Sequence, residues 1–168
     1  MMKRFVGAVV VAAMCVAVSP ASAQQKPVPA AEVAKIKADV IKAANDYLAT
    51  FSKEDWKGVA ENVYSHPAIQ NGPTGVSNID PAKQIEGYTS NVKNMKAAGW
   101  VKSAFYNPTV CVINPNTALM SSRFRRYDKD NKVIAENAET GLFAKVGDNW
   151  KLVGLFGHVV DKVITCND

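Results

Sequence analysis

The chain reads as an α+β domain on three observations. Three amphipathic helical stretches come first, four strand-like segments come last, and regularly spaced turn clusters divide those strands. An apolar leader precedes the domain. Lys3 and Arg4 stand before the apolar run 5–18, and the small residues Ala21, Ser22 and Ala23 follow. Basic, apolar and small-residue regions in that order form a secretory signal, with cleavage expected after Ala23. The run is shorter than the roughly 20 residues a bilayer span requires. Residues 1–23 are therefore read as a signal peptide, and the protein as exported, periplasmic or secreted, with no membrane association after cleavage. Residues 24–29 are a polar, proline-containing linker, and 30–168 form the domain.

Within the domain, Val33, Ile36, Val40, Ala44, Tyr47 and Phe51 recur at three- and four-residue steps, one stripe of a long helix over 30–51. Ser52 with Asp55 resembles a capping box opening a second helix, whose apolar face is Trp56, Val59, Ala60 and Val63. Residues 64–70 are short and mixed, and 71–75 are rich in turn formers. Asp80 is a good N-cap, Pro81 suits a first helical turn, and Gly99 suits a C-terminal left-handed position. They bracket a third helix that buries Ile85, Tyr88, Val92 and Met95. Turn clusters at 114–117, 128–131 and 146–149 then divide the rest into a four-stranded antiparallel meander.

The formal charge is +5, of which Lys3 and Arg4 supply two units, so the remaining basicity is mild and diffuse. Arg123, Phe124, Arg125, Arg126 and Tyr127 make a basic–aromatic stretch, but strand alternation splits it between faces. A cross-strand ion pair of Arg123 with Glu136 is expected there, and no nucleic-acid partner. No His, Cys and carboxylate cluster has ligand spacing, so no metal or cofactor is expected. Ser122 has no nucleophile-elbow sequence around it. Cys111 and Cys166 survive cleavage. In an oxidising compartment they form a disulfide, or else remain a buried and a terminal thiol. Bridging them requires residues 160–166 to cross the sheet.

The segments Tyr47-Leu48-Ala49-Thr50-Phe51, Asp55-Trp56 and Tyr64-Ser65-His66-Pro67-Ala68-Ile69 stand in an order that resembles the nuclear transport factor 2-like superfamily. So do Gly75 before the third helix and Gly147-Asp148-Asn149-Trp150-Lys151-Leu152-Val153 at the last turn. That superfamily includes SnoaL-like polyketide cyclases and ketosteroid isomerases. The resemblance implies a cone-shaped α+β barrel, in which a curved antiparallel sheet wraps three N-terminal helices around a pocket. It also implies a homodimer through the outer sheet face, and Tyr47 and Tyr88 hydroxyls directed into the cavity. His66-Pro67 stands where many relatives carry acidic residues, and no Asp position receives a catalytic role.

Symmetric turns would pair Thr109 with Ser122, Ser122 with Asn137, and Asn137 with His158. Directly paired residues share a face. This places Thr109, Ser122, Asn137 and His158 in one polar row, with Glu139 adjacent, on a helix-facing surface that also carries Cys111, Phe124, Phe143, Trp150, Leu152 and Phe156. Pocket-lining candidates are thus Tyr47, Trp56, Tyr88, Ser122, Asn137, Glu139, Phe156 and His158. The opposite face, with Val110, Val112, Leu119, Ile134, Leu142, Val153, Leu155 and Val159, is also apolar and needs a cover, which a second copy would supply.

The expected function is an exported binding or accessory module with an apolar pocket for a hydrophobic small molecule. A cofactor-independent lyase or isomerase is the alternative, with His158 or Glu139 moving a proton. A purely structural dimer is the third reading. The residues do not by themselves decide whether the protein is an enzyme. Amino-terminal sequencing of the exported protein should begin at Gln24, and a mature chain that still carries residues 5–18 would refute export by this leader.

Overall fold

The computed structural model describes residues 26–72 and 75–166, so the signal peptide and its cleavage site lie outside the described residues. Helix α1 spans Ala30–Ser52 and buries Ile36, Val40, Ala44, Tyr47, Leu48 and Phe51 along one stripe. It runs through Ser52, which therefore caps nothing. Asp55 opens α2, Trp56–Gly58, by accepting from the Gly58 N–H at 2.8 Å. A π-helical segment, Val59–Val63, continues it. Helix α3 spans Pro81–Ala97, with the Asp80 carboxylate accepting from Lys83 N–H at 2.9 Å and Gly99 at φ +85° beyond its end. Among the described residues, no helix is long and apolar enough to cross a membrane.

The strands are β1 (Tyr64–Gly72), β2 (Gly75–Ile79), β3 (Lys102–Asn114), β4 (Thr117–Tyr127), β5 (Val133–Val146) and β6 (Asn149–His158). They form one sheet in the order β2-β1-β6-β5-β4-β3. Two expectations are corrected by this order. The sheet is mixed and not antiparallel throughout, because β1 runs parallel to β6. Nor is it a cone-shaped barrel: β2 and β3 are its two edges, and a barrel requires them to pair. The edge strand β2 has five residues, four of them exposed, and hydrogen-bonds only β1. The α+β class and the meander β3–β6 stand as expected. The hairpin β1–β2 is hidden in the sequence because its residues do not alternate cleanly between apolar and polar.

Helix α1 packs on one face of the sheet, against β3, β4 and β6. This inner face carries Val110, Val112, Ala118, Met120, Phe124, Phe143 and Leu152 in the core. Gly141 belongs to the same face, and a Cβ there would lie 2.8 Å from both Leu152 Cδ2 and Phe143 Cε2. The close approach of those two side chains depends on its absence.

The strand register departs from the symmetric-turn arithmetic through bulges. Asn114 pairs with Thr117, but the ladder then shifts twice, so Thr109 meets Ser121 and Phe105 meets Phe124. Asn107, at φ +51° beside Pro108, marks the second shift. Between β4 and β5 the offset is two residues, which changes partners but preserves faces: Ser122 meets Glu139 and Arg125 meets Glu136. Between β5 and β6 the pairing Phe143–Leu152 holds, and one shift then sets Thr140 opposite Phe156 and Ala138 opposite His158. A one-residue slip reverses faces. Cys111 and Phe156 therefore lie on the outer face, whereas Val110, Val112 and Leu155 lie on the inner one. The expected row of Thr109, Ser122, Asn137 and His158 does not form.

The residues after β6 run across the outer face as a strap. Arg123 Nε donates to the Val160 carbonyl at 2.7 Å, and the Ile164 N–H donates to Ser121 Oγ at 3.0 Å. Cys166 then joins Cys111 on edge strand β3 as a disulfide, with Cα atoms 5.6 Å apart. Part of the cover expected from a second copy is thus supplied by the chain itself. A cross-link of sequence separation 55 restricts the unfolded chain strongly. The double substitution Cys111→Ala with Cys166→Ala should lower stability by about 2–4 kcal/mol in urea denaturation. The unreduced protein starting at Gln24 should show no reactive thiol when denatured.

Candidate functional site

Two hollows of similar size open beside α1. One, of about 550 Å³, lies between α1 and the β5–β6 turn and is lined by charged residues. Its helical charges are already paired, Lys35 with Asp39 at 2.6 Å and Lys42 with Asp46 at 2.5 Å. The other, of about 540 Å³, lies between the inner face of the sheet and helices α1 and α3. Tyr47, Leu48 and Phe51 of α1 and Tyr88 of α3 form one wall, while Phe124, Arg126, Asn137, Glu139, Leu155 and Gly157 form the opposite one. Gln70 and Asn71 close the side at β1.

Unpaired polar atoms single out the second of these. Among the described residues, Arg126 Nε, Asn137 Nδ2 and Glu139 Oε1 are buried without a hydrogen-bond partner, and all three residues line this pocket. Buried polar groups are normally bonded, so three such atoms at one place are a functional signal. Glu139 is only 9% exposed. Burial pushes its carboxyl up to about 7, against an opposing pull from Arg126. Burial also lowers the Arg126 guanidinium, with Glu139 and Tyr47 raising it.

A cluster of hydroxyls faces Glu139. Tyr64 and Tyr88 hydroxyls lie 3.1 Å apart, and Gln70 Nε2 donates to both, at 3.0 and 3.2 Å. Burial first, and then the neighbouring Tyr88, hold the Tyr47 and Tyr64 phenols well above their usual range. The Phe51 ring meets Tyr47 and Tyr88 edge to face, with centroids 5.9 and 5.3 Å away, and Tyr64 meets Tyr47 in the same way at 6.2 Å. The arrangement offers a protonatable carboxyl and neutral hydroxyls inside walls of mixed polar and apolar character.

The structure brings Tyr47, Tyr88, Asn137 and Glu139 together in this pocket. Trp56 lies behind the wall, edge-on to Phe51 and tilted against Tyr88, with ring centroids 5.0 and 5.8 Å away. Ser122 is fully buried on the inner face, and its hydroxyl is directed to the Tyr106 and Arg123 carbonyls at 3.0 and 2.8 Å. It fastens the β3 bulge and leaves nothing for a ligand. Phe156 is on the outer face and does not line the cavity.

His158 requires the clearest correction. Its position borders the pocket mouth, but its Nε2 lies 3.0 Å from Thr140 Oγ1, which is 2.8 Å from Ser121 Oγ on the outer face. Its Nδ1 faces the Val159 carbonyl at 3.0 Å. With the proton on Nδ1, Nδ1 donates to Val159, Thr140 donates to Nε2, Ser121 to Thr140, and the Ile164 N–H to Ser121. Every group in that chain then has a partner. A polar row thus exists, but it fastens the strap. Arg126 is the pocket residue that the sequence conceals, because it stands within a surface-like basic run. Its even-numbered place in β4, in phase with Ser122 and Phe124, is the signal that could have placed it inside.

The Glu139 carboxyl sets a pH dependence whose sign follows from its surroundings. Its folded pKa of about 7 exceeds the ordinary 4.5, so the folded chain retains a proton that the unfolded chain releases between those values. Stability falls as pH rises through that window and levels off above it. The full difference is worth about 3 kcal/mol. Glu139→Gln should match the parent near pH 4.5 and exceed it by up to about 3 kcal/mol at pH 8 in chemical denaturation.

The shape recurs in other solved structures. A protein of unknown function with a cystatin-like fold from Nostoc punctiforme superposes with a TM-score of 0.62, at 13% identity over 75% of this chain and 92% of that one. Aln2 from a Streptomyces species gives 0.63 at 13% identity, over 80% and 94% of the two chains. An NTF2-like protein from Novosphingobium aromaticivorans gives 0.63 at 12% identity, over 79% and 86%. At these identities the likeness is one of fold alone. None of the curated proteins matches the chain. The family model described as NTF2-like protein (DUF6841) matches residues 38–159, which contain both pocket walls and the whole sheet, and the chain therefore belongs to that NTF2-like family.

Proposed function

We propose that the protein is an exported binding module whose inner-face pocket holds one small molecule with an apolar body and a polar head. The observation that carries this reading is the set of unpaired atoms on Arg126, Asn137 and Glu139 in a cavity of about 540 Å³. Each such atom costs about 1–3 kcal/mol when buried without a partner, a cost that a ligand's polar groups would remove once those side chains turn toward the cavity they line. The volume falls within the range of small-molecule sites. Export is supported by the leader 1–23 and by the Cys111–Cys166 bridge, a bond suited to an oxidising compartment. The homodimer belongs to the same proposal. Leu119, Leu142 and Phe156 remain half-buried on the outer face beside the strap, and a second copy would cover them.

One observation favours a second reading, proton transfer without a cofactor. Glu139 titrates at about 7, the range a general base needs at neutral pH, and it faces the Tyr47, Tyr64 and Tyr88 hydroxyls. A hydroxyl of that cluster would stabilise an oxyanion formed on the substrate. His158 has no part in this version, since its ring serves the strap.

Gly157 supplies the variant for a decisive test. It faces Glu139 across the β5–β6 ladder, and a Cβ there would meet only Asn71 Oδ1, at 4.0 Å. Gly157→Leu should therefore fill the mouth while the fold persists. Native mass spectrometry of the protein isolated from its own host should show an added mass that Gly157→Leu lacks. A bare chain in both samples would overturn the binding reading. Retained binding with lost turnover in Glu139→Gln would identify the second reading as correct.

A further inference from the structure

We propose that the occupant of this pocket is an amphipathic organic carboxylate, with its charged head received by Arg126 and Asn137. This rests on the binding reading above and adds the chemical class of the ligand.

The arginines of β4 differ in one respect. Arg125 pairs with Glu136 at 3.1 Å and lies 4.2 Å over the Tyr106 ring. Arg123 gives its Nε to the Val160 carbonyl. Arg126 points to neither: among the described residues no carboxylate lies within ion-pair distance of it, and its Nε is buried without a partner. A guanidinium keeps its proton under all ordinary conditions, so it cannot escape desolvation by becoming neutral. An anion in contact is what offsets that cost.

The second unpaired donor is close by. Asn137 is opposite Phe124, and Arg126 is two residues along β4 on the same face, with its guanidinium carbon 5.7 Å from the Phe124 ring centroid. Arg126 Nε and Asn137 Nδ2 both donate, so the missing group must accept. Glu139 follows Asn137 by two residues on the same face. From the elements packed around it, Tyr47 of α1, Tyr64 of β1, Tyr88 of α3 and Arg126 of β4 face this carboxyl. Three neutral hydroxyls and one cation make up that shell, with no second carboxylate in it. With its proton on, Glu139 is a third donor to the ligand head, and its value of about 7 keeps it so below neutrality. Phe51, Tyr88, Phe124 and Leu155 supply apolar surface for the ligand's body.

The test compares benzoate, 2-naphthoate and decanoate with their own primary amides by calorimetry at pH 6. The amides keep the body and remove the charge. At least one carboxylate should bind tenfold or more tightly than its amide. Arg126→Gln should abolish that preference without weakening the amide, Arg126→Lys should retain part of it, and circular dichroism should confirm both variants are folded. Above about pH 7 the carboxylate affinity should fall roughly tenfold per pH unit, because binding then requires a proton at Glu139. In Glu139→Gln that dependence should vanish. Amides that bind as well as carboxylates, and are lost in Gly157→Leu, would overturn the anion class and leave the pocket standing. Probes that bind equally to Gly157→Leu would overturn the pocket as well. No binding of any carboxylate at millimolar concentration would overturn the anion class, and the retained-mass experiment would still judge the pocket separately.

Discussion

Burial of the α1 stripe against the inner face of the sheet is the contact on which the other features depend. Ile36, Val40, Ala44, Tyr47, Leu48 and Phe51 lie within one apolar cluster with Val110, Met120, Phe124, Phe143 and Leu152. A helix of this length is held in place chiefly by such a face, since helix propensity alone contributes little. The stripe also sets the pocket. Its upper part is filled by Val40 and Ala44, both essentially unexposed, whereas its lower part presents Tyr47 and Phe51 to a cavity. The same row of residues thus closes the core at one end and leaves it hollow at the other.

The outer face obeys the same constraint by a different device. An apolar sheet face in water needs a cover. Here residues 159–166 lie across it, held by backbone bonds to Arg123 and Ser121 and by the bond to Cys111. His158 belongs to this fastening. It is the last residue of β6, where the chain leaves the sheet and starts across the outer face. Its ring joins the Thr140–Ser121 row to the strap's first carbonyl. A histidine among small and apolar residues resembles a catalytic group in the sequence. Its bonds show that it organises a crossing.

Inside the pocket, charge and burial act together. Arg126 is half-buried with an unpaired Nε, and Glu139 is buried with a carboxyl that titrates near neutrality. If the two formed a tight ion pair, the Glu139 value would be lowered, not raised. Desolvation prevails because the Glu139 side chain is buried and the nearby groups, Arg126 apart, are hydroxyls that remain neutral. Tyr64 and Tyr88 are bonded to each other and to Gln70, so their geometry is fixed before any ligand arrives. Preorganisation of this kind reduces the ordering cost of binding.

How much was legible in the residues depended on how local the controlling physics was. The α1 stripe, the Asp80 cap with Pro81, Gly99 and the meander turns are set by neighbours within a few positions, and the sequence by itself determined them. It also placed Asn137 and Glu139 on one face with Ser122 and Phe124, because the β4–β5 offset was an even number of residues and preserved both faces. Only the tertiary structure decided the rest. Single-residue shifts in β3 and β6 reversed Cys111, Phe156 and His158 to the outer face, and no local pattern marks where a bulge falls, since its partner strand is distant in sequence. The parallel β1–β6 pair likewise rests on contacts between residues more than 80 positions apart. Arg126 became an interior group for the same reason: the face it occupies acquires meaning only once α1 and α3 cover it.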